Sequence, residues 1–181
     1  NKVSTIIAPS GSFGSSLAIP FSNPYLPAAA RQTFCDNNPT FNATGVQVAQ
    51  LTAAQCAAAA TATATTDPNF RYFTVATNRR TTEVGPRLSD YTTTLFDYRA
   101  GVKIGITDSI KLDVNGSYGE SENVQNIQNY VLTSRLRAAA FATNTATCLP
   151  NAPNGGASTT AGSGCVPINL FGPEGSITPG Q

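Results

Sequence analysis

Histidine, methionine and tryptophan are all absent from this 181-residue chain. Without histidine, the commonest general base and the commonest neutral metal ligand are missing. Serine and aspartate are plentiful, but no nucleophile and base stand out as a constellation, so an enzyme is not expected and no cofactor is implied. Charge is scarce as well, at 12% of residues against the quarter typical of soluble domains. With a net charge of +1 there is no electrostatic case for nucleic acid. Large apolar side chains are thin beside abundant Ala, Thr, Asn, Ser and Gly, so a conventional soluble core is not expected. No run of about 18 to 20 apolar residues offers a transmembrane helix, and no signal-peptide pattern opens the chain. A membrane, if met, is met by strands. Neither Asn1 nor the ending Ile177-Thr178-Pro179-Gly180-Gln181 looks like a natural terminus, and the expectation is a fragment.

Four cysteines are present, falling as two local couples, Cys35 with Cys56 and Cys148 with Cys165. Each couple lies in a Pro-, Asn- and Ala-rich stretch, so two loop disulfides in an oxidising compartment are the natural inference. Closing loops of about 20 residues restrains the unfolded chain by roughly 3 kcal/mol each. The competing reading, free or metal-binding thiols, lacks any C-x2-C step.

Residues 1 to 69 read as irregular surface loop, with Pro9, Pro20, Pro24 and Pro27 as breakers and Gly11 and Gly14 as flexible turns. Inside it, Thr52-Ala53-Ala54-Gln55 has capping-box form and should start a short helix whose Cys56 anchors to Cys35. The Ala/Thr tail at 57 to 66 reads as mobile low complexity. Residues 70 to 91 are β-prone with neither parity consistently apolar, which suggests a strand extension standing above lipid, with a bend at Gly85-Pro86.

Residues 92 to 122 carry the strongest pattern. Thr92, Thr94, Phe96, Tyr98, Ala100, Val102, Ile104 and Ile106 alternate with Thr93, Leu95, Asp97, Arg99, Gly101, Lys103 and Gly105. After Thr107-Asp108-Ser109 the alternation resumes in phase as Ile110, Leu112, Val114, Gly116 and Tyr118 against Lys111, Asp113, Asn115, Ser117 and Gly119. A three-residue turn then pairs residues whose numbers sum to 216, so Ile104 faces Leu112, Val102 faces Val114, Tyr98 faces Tyr118, and Lys103 meets Asp113. Slipping by one residue would put Arg99, Lys103 and Asp113 into the apolar layer. Long antiparallel strands with a tight turn between long loops match an outer-membrane barrel hairpin, although a hairpin of a soluble sandwich shows the same period. In the barrel reading Phe96, Tyr98, Val102, Ile104, Leu112, Val114 and Tyr118 face lipid, while Asp97, Arg99, Lys103 and Asp113 face the lumen. The chain then leaves the pattern after Glu120. A short helix is plausible between Tyr130 and Ala142, and residues 123 to 181, with Cys148 and Cys165, read as a second surface loop.

Four stretches stand out: Asn78-Arg79-Arg80-Thr81-Thr82-Glu83-Val84-Gly85-Pro86-Arg87, Asp90-Tyr91-Thr92-Thr93-Thr94, Phe96-Asp97-Tyr98-Arg99-Ala100-Gly101 and Asp113-Val114-Asn115-Gly116-Ser117-Tyr118-Gly119-Glu120-Ser121. They resemble the mid-barrel region of TonB-dependent receptors. Ser22-Asn23-Pro24-Tyr25-Leu26-Pro27 and Val166-Pro167-Ile168-Asn169-Leu170-Phe171-Gly172 extend the likeness over most of the chain. A Trp often stands in that family's rising strand where this chain has Lys111-Leu112-Asp113. The resemblance implies an all-β fold, part of a transmembrane antiparallel barrel, with its loops outside the cell. It implies energised uptake of a scarce bulky nutrient such as a siderophore or glycan. The expected partners are outer-membrane lipid and lipopolysaccharide, the rest of the barrel and its plug, the TonB energy complex acting through that plug, and the unknown nutrient. Arg79, Arg80, Glu83 and Arg87, the densest charged cluster, are the candidate ligand contacts; solvated strand-edge charges or lipopolysaccharide pairing are the blander reading. The alternative class is a surface or filament subunit assembled through strand-edge pairing.

Overall fold

A computed structural model describes residues 2–8, 11–159 and 163–178. In chain order the elements are β1 (Lys2–Ala8), β2 (Gly11–Pro20), α1 (Ala28–Asn37), β3 (Thr40–Asn42), β4 (Gln47–Val48), α2 (Ala53–Thr61), β5 (Arg71–Thr81), β6 (Arg87–Gly105), β7 (Lys111–Gln128) and α3 (Thr133–Ala140). A single 3-10 turn, Thr82–Val84, follows β5. The chain is mostly antiparallel β-sheet, and the described strands do not close a barrel. No described helix is long and apolar enough to cross a membrane.

Two compact units divide the chain, and neither is contiguous in sequence. The first, a hairpin unit of residues 1–8 and 87–128, is a three-stranded sheet in the order β1-β6-β7. β6 and β7 pair without a break from Leu88↔Gln128 to Gly105↔Lys111, in the register expected from the turn. β1 covers only the upper end of β6, from Lys2↔Thr92 to Ala8↔Arg87. Strand pairing therefore runs past Glu120 as far as Gln128, where the pattern appeared to stop. On the face that carries Val114 and Tyr118 the residues that follow are Glu120, Glu122, Val124, Asn126 and Gln128, and with one apolar residue among four polar ones the period fades.

The second unit, residues 9–86 with 129–181, is a folded body and corrects the expectation of two irregular loops. Its four-stranded sheet has the order β2-β5-β3-β4. β2 pairs with β5 from Gly11↔Thr81 to Pro20↔Tyr72, so Gly11 and Gly14 sit in a strand rather than in turns. Pro20 does not break that strand. It is its last residue, on an edge strand, where a missing N–H costs no ladder bond. Pro9 lies outside the described residues. Pro24 and Pro27 fall in the turn before α1, with Pro27 as the helix N-cap.

The body has a core after all. Leu17, Ile19, Phe21, Leu26, Phe73, Leu136, Ala140 and Ile168 form one buried cluster, and Ala18, Phe70, Tyr72, Phe141 and Ala152 form another. Phe73 stacks on Phe34 with ring centroids 4.6 Å apart and sits 5.0 Å from Phe21. Phe70 and Tyr72 meet Phe141 edge-on. Tyr72 and Phe73 are both buried although they point to opposite faces, so the sheet is covered on both sides here. That is why no single parity of β5 reads as apolar.

Each core cluster draws on both sequence segments, and buried polar groups tie them together as well. Ser22 Oγ donates to Ala62 O at 2.6 Å, Asn23 Nδ2 to Ala140 O at 3.1 Å, and Thr143 Oγ1 to Thr63 O at 2.9 Å. The Thr52–Gln55 capping box is formed as expected. Its helix α2 is joined to α1 by the Cys35–Cys56 disulfide, and Cys148–Cys165 closes the second segment. The Ala-rich tail is corrected too, since Ala59 and Ala62 are fully buried. Small side chains there let α2 lie close to its neighbours.

Removing the Phe73 ring should leave a cavity that the double-sided core cannot collapse into. Phe73→Ala is expected to cost about 3–5 kcal/mol, whereas Val46→Ala, at an exposed position, should change stability by less than about 0.5 kcal/mol. Urea unfolding followed by circular dichroism reads both values.

Candidate functional site

Two places hold the residues singled out by sequence: the faces of the β6–β7 hairpin and the charged end of β5. Across the turn Ile110 O accepts from the Ile106 N–H at 2.9 Å and from the Thr107 N–H at 3.2 Å, while the Ile110 N–H donates to Thr107 O at 3.3 Å. Thr107 Oγ1 accepts from the Ser109 and Ile110 N–H groups, which fixes the tight loop. Even-numbered residues of both strands then share one face. On it Val102 lies opposite Val114, Ile104 opposite Leu112, and Tyr98 opposite Tyr118.

None of these side chains is sealed in a core. Tyr98 is 68% exposed, Val102 58% and Val114 56%, with Ile104, Leu112 and Tyr118 similarly bare. Phe96 is half-buried because it packs on the two tyrosines, 5.5 Å from Tyr98 and 6.0 Å from Tyr118. Together the three rings cap the apolar stripe at the end away from the turn. Beyond them Tyr118 Oη donates to Glu120 Oε2 at 3.2 Å, so the hydroxyl end already points toward polar groups. On the opposite face Asp97 pairs with Arg99 at 2.9 Å and Lys103 with Asp113 at 3.2 Å, while Asn115 Nδ2 donates to Asp113 Oδ1 at 2.7 Å. All of these groups are exposed, so as isolated pairs in water they contribute about 1 kcal/mol or less.

Arg79, Arg80 and Glu83 belong to the body, and Arg87 opens β6 in the hairpin unit. Arg80 is exposed and Arg87 half-buried. Arg79 and Glu83, expected as ligand contacts, are occupied in holding the segment 169 to 176. Arg79 Nη1 donates to the carbonyls of Asn169, Leu170 and Gly172 at 3.4, 3.1 and 3.2 Å. Its Nη2 donates to Pro173 O at 3.2 Å, Ser176 Oγ at 3.4 Å and Glu83 Oε1 at 3.0 Å. Glu83 Oε1 also accepts from the Gly175 N–H at 3.0 Å. Nothing in the sequence near Arg79 announces this cage, because its acceptors are main-chain carbonyls some 90 residues away. The one local cue is the i,i+4 spacing of Arg79 and Glu83.

Set against protein-family models, curated proteins and solved structures, the chain matches none of them.

Other cations of the body are used in the same way. Its six cations, Arg31, Arg71, Arg79, Arg80, Arg135 and Arg137, are all arginine. Arg31 Nε donates to Phe21 O at 3.0 Å, and Arg71 Nη1 to Pro68 O and Phe70 O at 2.8 and 2.7 Å. A planar guanidinium with several donors can gather carbonyls that a single ammonium could not.

The Glu83 carboxyl is held below the ordinary carboxylate range, chiefly by its own backbone N–H and further by the Gly175 N–H and the Arg79 guanidinium, against burial, which pushes it up. Because the folded pKa lies below the unfolded one, the carboxylate's contribution is complete above the usual glutamate value of about 4.3. It is lost as the pH falls through the lowered folded value. Acidification should therefore shift the Gly175 amide resonance in a proton–nitrogen correlation spectrum, and Glu83→Gln should abolish that response. Arg79→Ala strands Glu83 and a ring of carbonyls, and should cost about 3 kcal/mol with faster amide exchange through residues 169 to 176.

Proposed function

We propose that this chain is part of an outer-membrane receptor of the TonB-dependent type, contributing one membrane hairpin and an extracellular body to a barrel for energised nutrient uptake. The observation that carries the reading is the one-sided apolar stripe of the hairpin, bare along its length and capped by Phe96, Tyr98 and Tyr118 at one end. From Phe96 to Ile106 the stripe extends roughly 34 Å at about 3.4 Å per residue. Tilted by about 45°, that stands roughly 24 Å tall, close to the lipid-facing band of an outer-membrane barrel. Aromatic rings at the end of such a band suit the interface, where the ring lies against acyl chain and the hydroxyl stays wet. The tight turn at 107 to 109 would then lie on the periplasmic side and the body outside the cell, where disulfides persist.

In that setting Asp97, Arg99, Lys103 and Asp113 line the wet interior and meet the plug, which the TonB complex moves. The body faces the nutrient, and Arg80 and Arg135 are its exposed charges nearest the barrel strands in sequence. Lipid and lipopolysaccharide cover the opposite face of the hairpin. A second reading, a surface or filament subunit, is favoured by the outer edge of β7. This strand of 18 residues has no partner on that side among the described strands, and a neighbouring copy could pair with it.

Absence of native tryptophan makes a direct test simple. Val102→Trp, reconstituted in bilayers, should emit blue-shifted fluorescence and be quenched by lipids brominated in the acyl chain, while Lys103→Trp should be neither. Equal quenching at the two positions would sink the membrane reading. The intact mass of the source protein separates the alternatives: several times 18.8 kDa for a receptor, close to 18.8 kDa for a subunit.

A further inference from the structure

The hairpin is an insertion in the body. Pro86 closes the body's first segment and Asn129 opens its second, and the Asn129 Nδ2 donates to Pro86 O at 2.7 Å. Left-handed backbone marks both points, with φ of 81° at Gly85 and 63° at Asn129. Asparagine is one of the few residues with a side chain that tolerate that conformation. Everything between the two points belongs to β6, the turn and β7.

None of the residues that build the body's core lies in the hairpin, and neither do the cysteines of its two disulfides. Its cross-ties, Ser22 to Ala62, Asn23 to Ala140 and Thr143 to Thr63, are also internal. The hairpin has no comparable means of support in water. Every residue of β7 is exposed, and β6 is covered only at its start, where Ser89 is buried; a sheet of two or three strands so little covered is marginal at best. The body is complete without lipid; the hairpin is not.

We propose that the body folds first, in water and under oxidising conditions, and that the Asn129–Pro86 latch then presents the hairpin to the membrane with its open ends already joined. The membrane step rests on the receptor reading, while the body's independence does not. Joining the ends lets pairing begin at Leu88↔Gln128 as well as at the turn. The loop-closure entropy of bringing the strands together is thereby partly met before lipid is reached. It also selects the register, in which a slip of one residue would turn Lys103 and Asp113 toward lipid.

Hydrogen exchange by mass spectrometry on the full oxidised chain, kept monomeric in detergent-free buffer and then in maltoside micelles, tests the order. Segments 17–21, 70–75 and 136–142 should be protected in both media, and segment 96–118 only in micelles. Body segments that gain protection only together with the hairpin, in micelles, would overturn the proposal. A protected body beside a hairpin unprotected in both media would sink the receptor reading and leave the body's independence standing. Asn129→Gly keeps the backbone conformation and removes the donor. It should leave body protection unchanged and slow the gain of hairpin protection after micelle addition several-fold; an unchanged rate would overturn the latch.

Discussion

Hydrogen bonding between β6 and β7 decides which side chains look the same way, and the hairpin's properties follow from that choice. The ladder is unbroken from Leu88↔Gln128 to Gly105↔Lys111, so parity is conserved along its whole length. One face therefore collects Val102, Ile104, Leu112 and Val114, while the other collects Asp97, Arg99, Lys103 and Asp113. No bulge interrupts this pair to let a residue change sides. A tight turn with an odd number of residues sets the register, because Ile106 and Ile110 must face each other for the phase to survive. The exposed stripe is thus a product of backbone geometry.

The body solves a different problem by different means. Its core is small, built from a few aromatic rings and many alanines, and it takes residues from two segments separated by the hairpin. Two disulfides shorten the unfolded alternatives within each segment, while buried side-chain-to-carbonyl bonds hold the segments to each other. Arginine serves the same end. A turn-rich segment such as 169 to 176 has carbonyls that neither helix nor sheet can satisfy, and one guanidinium takes four of them.

Much of the hairpin was legible because its signal is local: a two-residue period, a turn and a phase. The capping box at Thr52 and the pairing of the cysteines were legible for the same reason. The body was not, for identifiable causes. Leu17, Ile19 and Phe21 do alternate, but they sit among Pro, Ser and Gly, which in isolation argue for a loop. Tyr72 and Phe73 lie adjacent on a strand covered on both faces, which erases the period that marks a strand. The alanines of α2 looked like low complexity because their role, close approach, depends on partners elsewhere in the chain. Arg79 looked like a free surface charge for the corresponding reason, since main-chain carbonyls leave no trace in a sequence.

Cation chemistry splits the chain along the line between its two units. All three lysines, Lys2, Lys103 and Lys111, lie in the sheet of β1, β6 and β7, and the body holds none. A reagent that acylates primary amines would, among the side chains, mark the hairpin unit alone. Dicarbonyl reagents selective for guanidines would report on both halves. Lysine is thus a handle on the hairpin unit alone, by which the state of that half could be followed in the presence of the other.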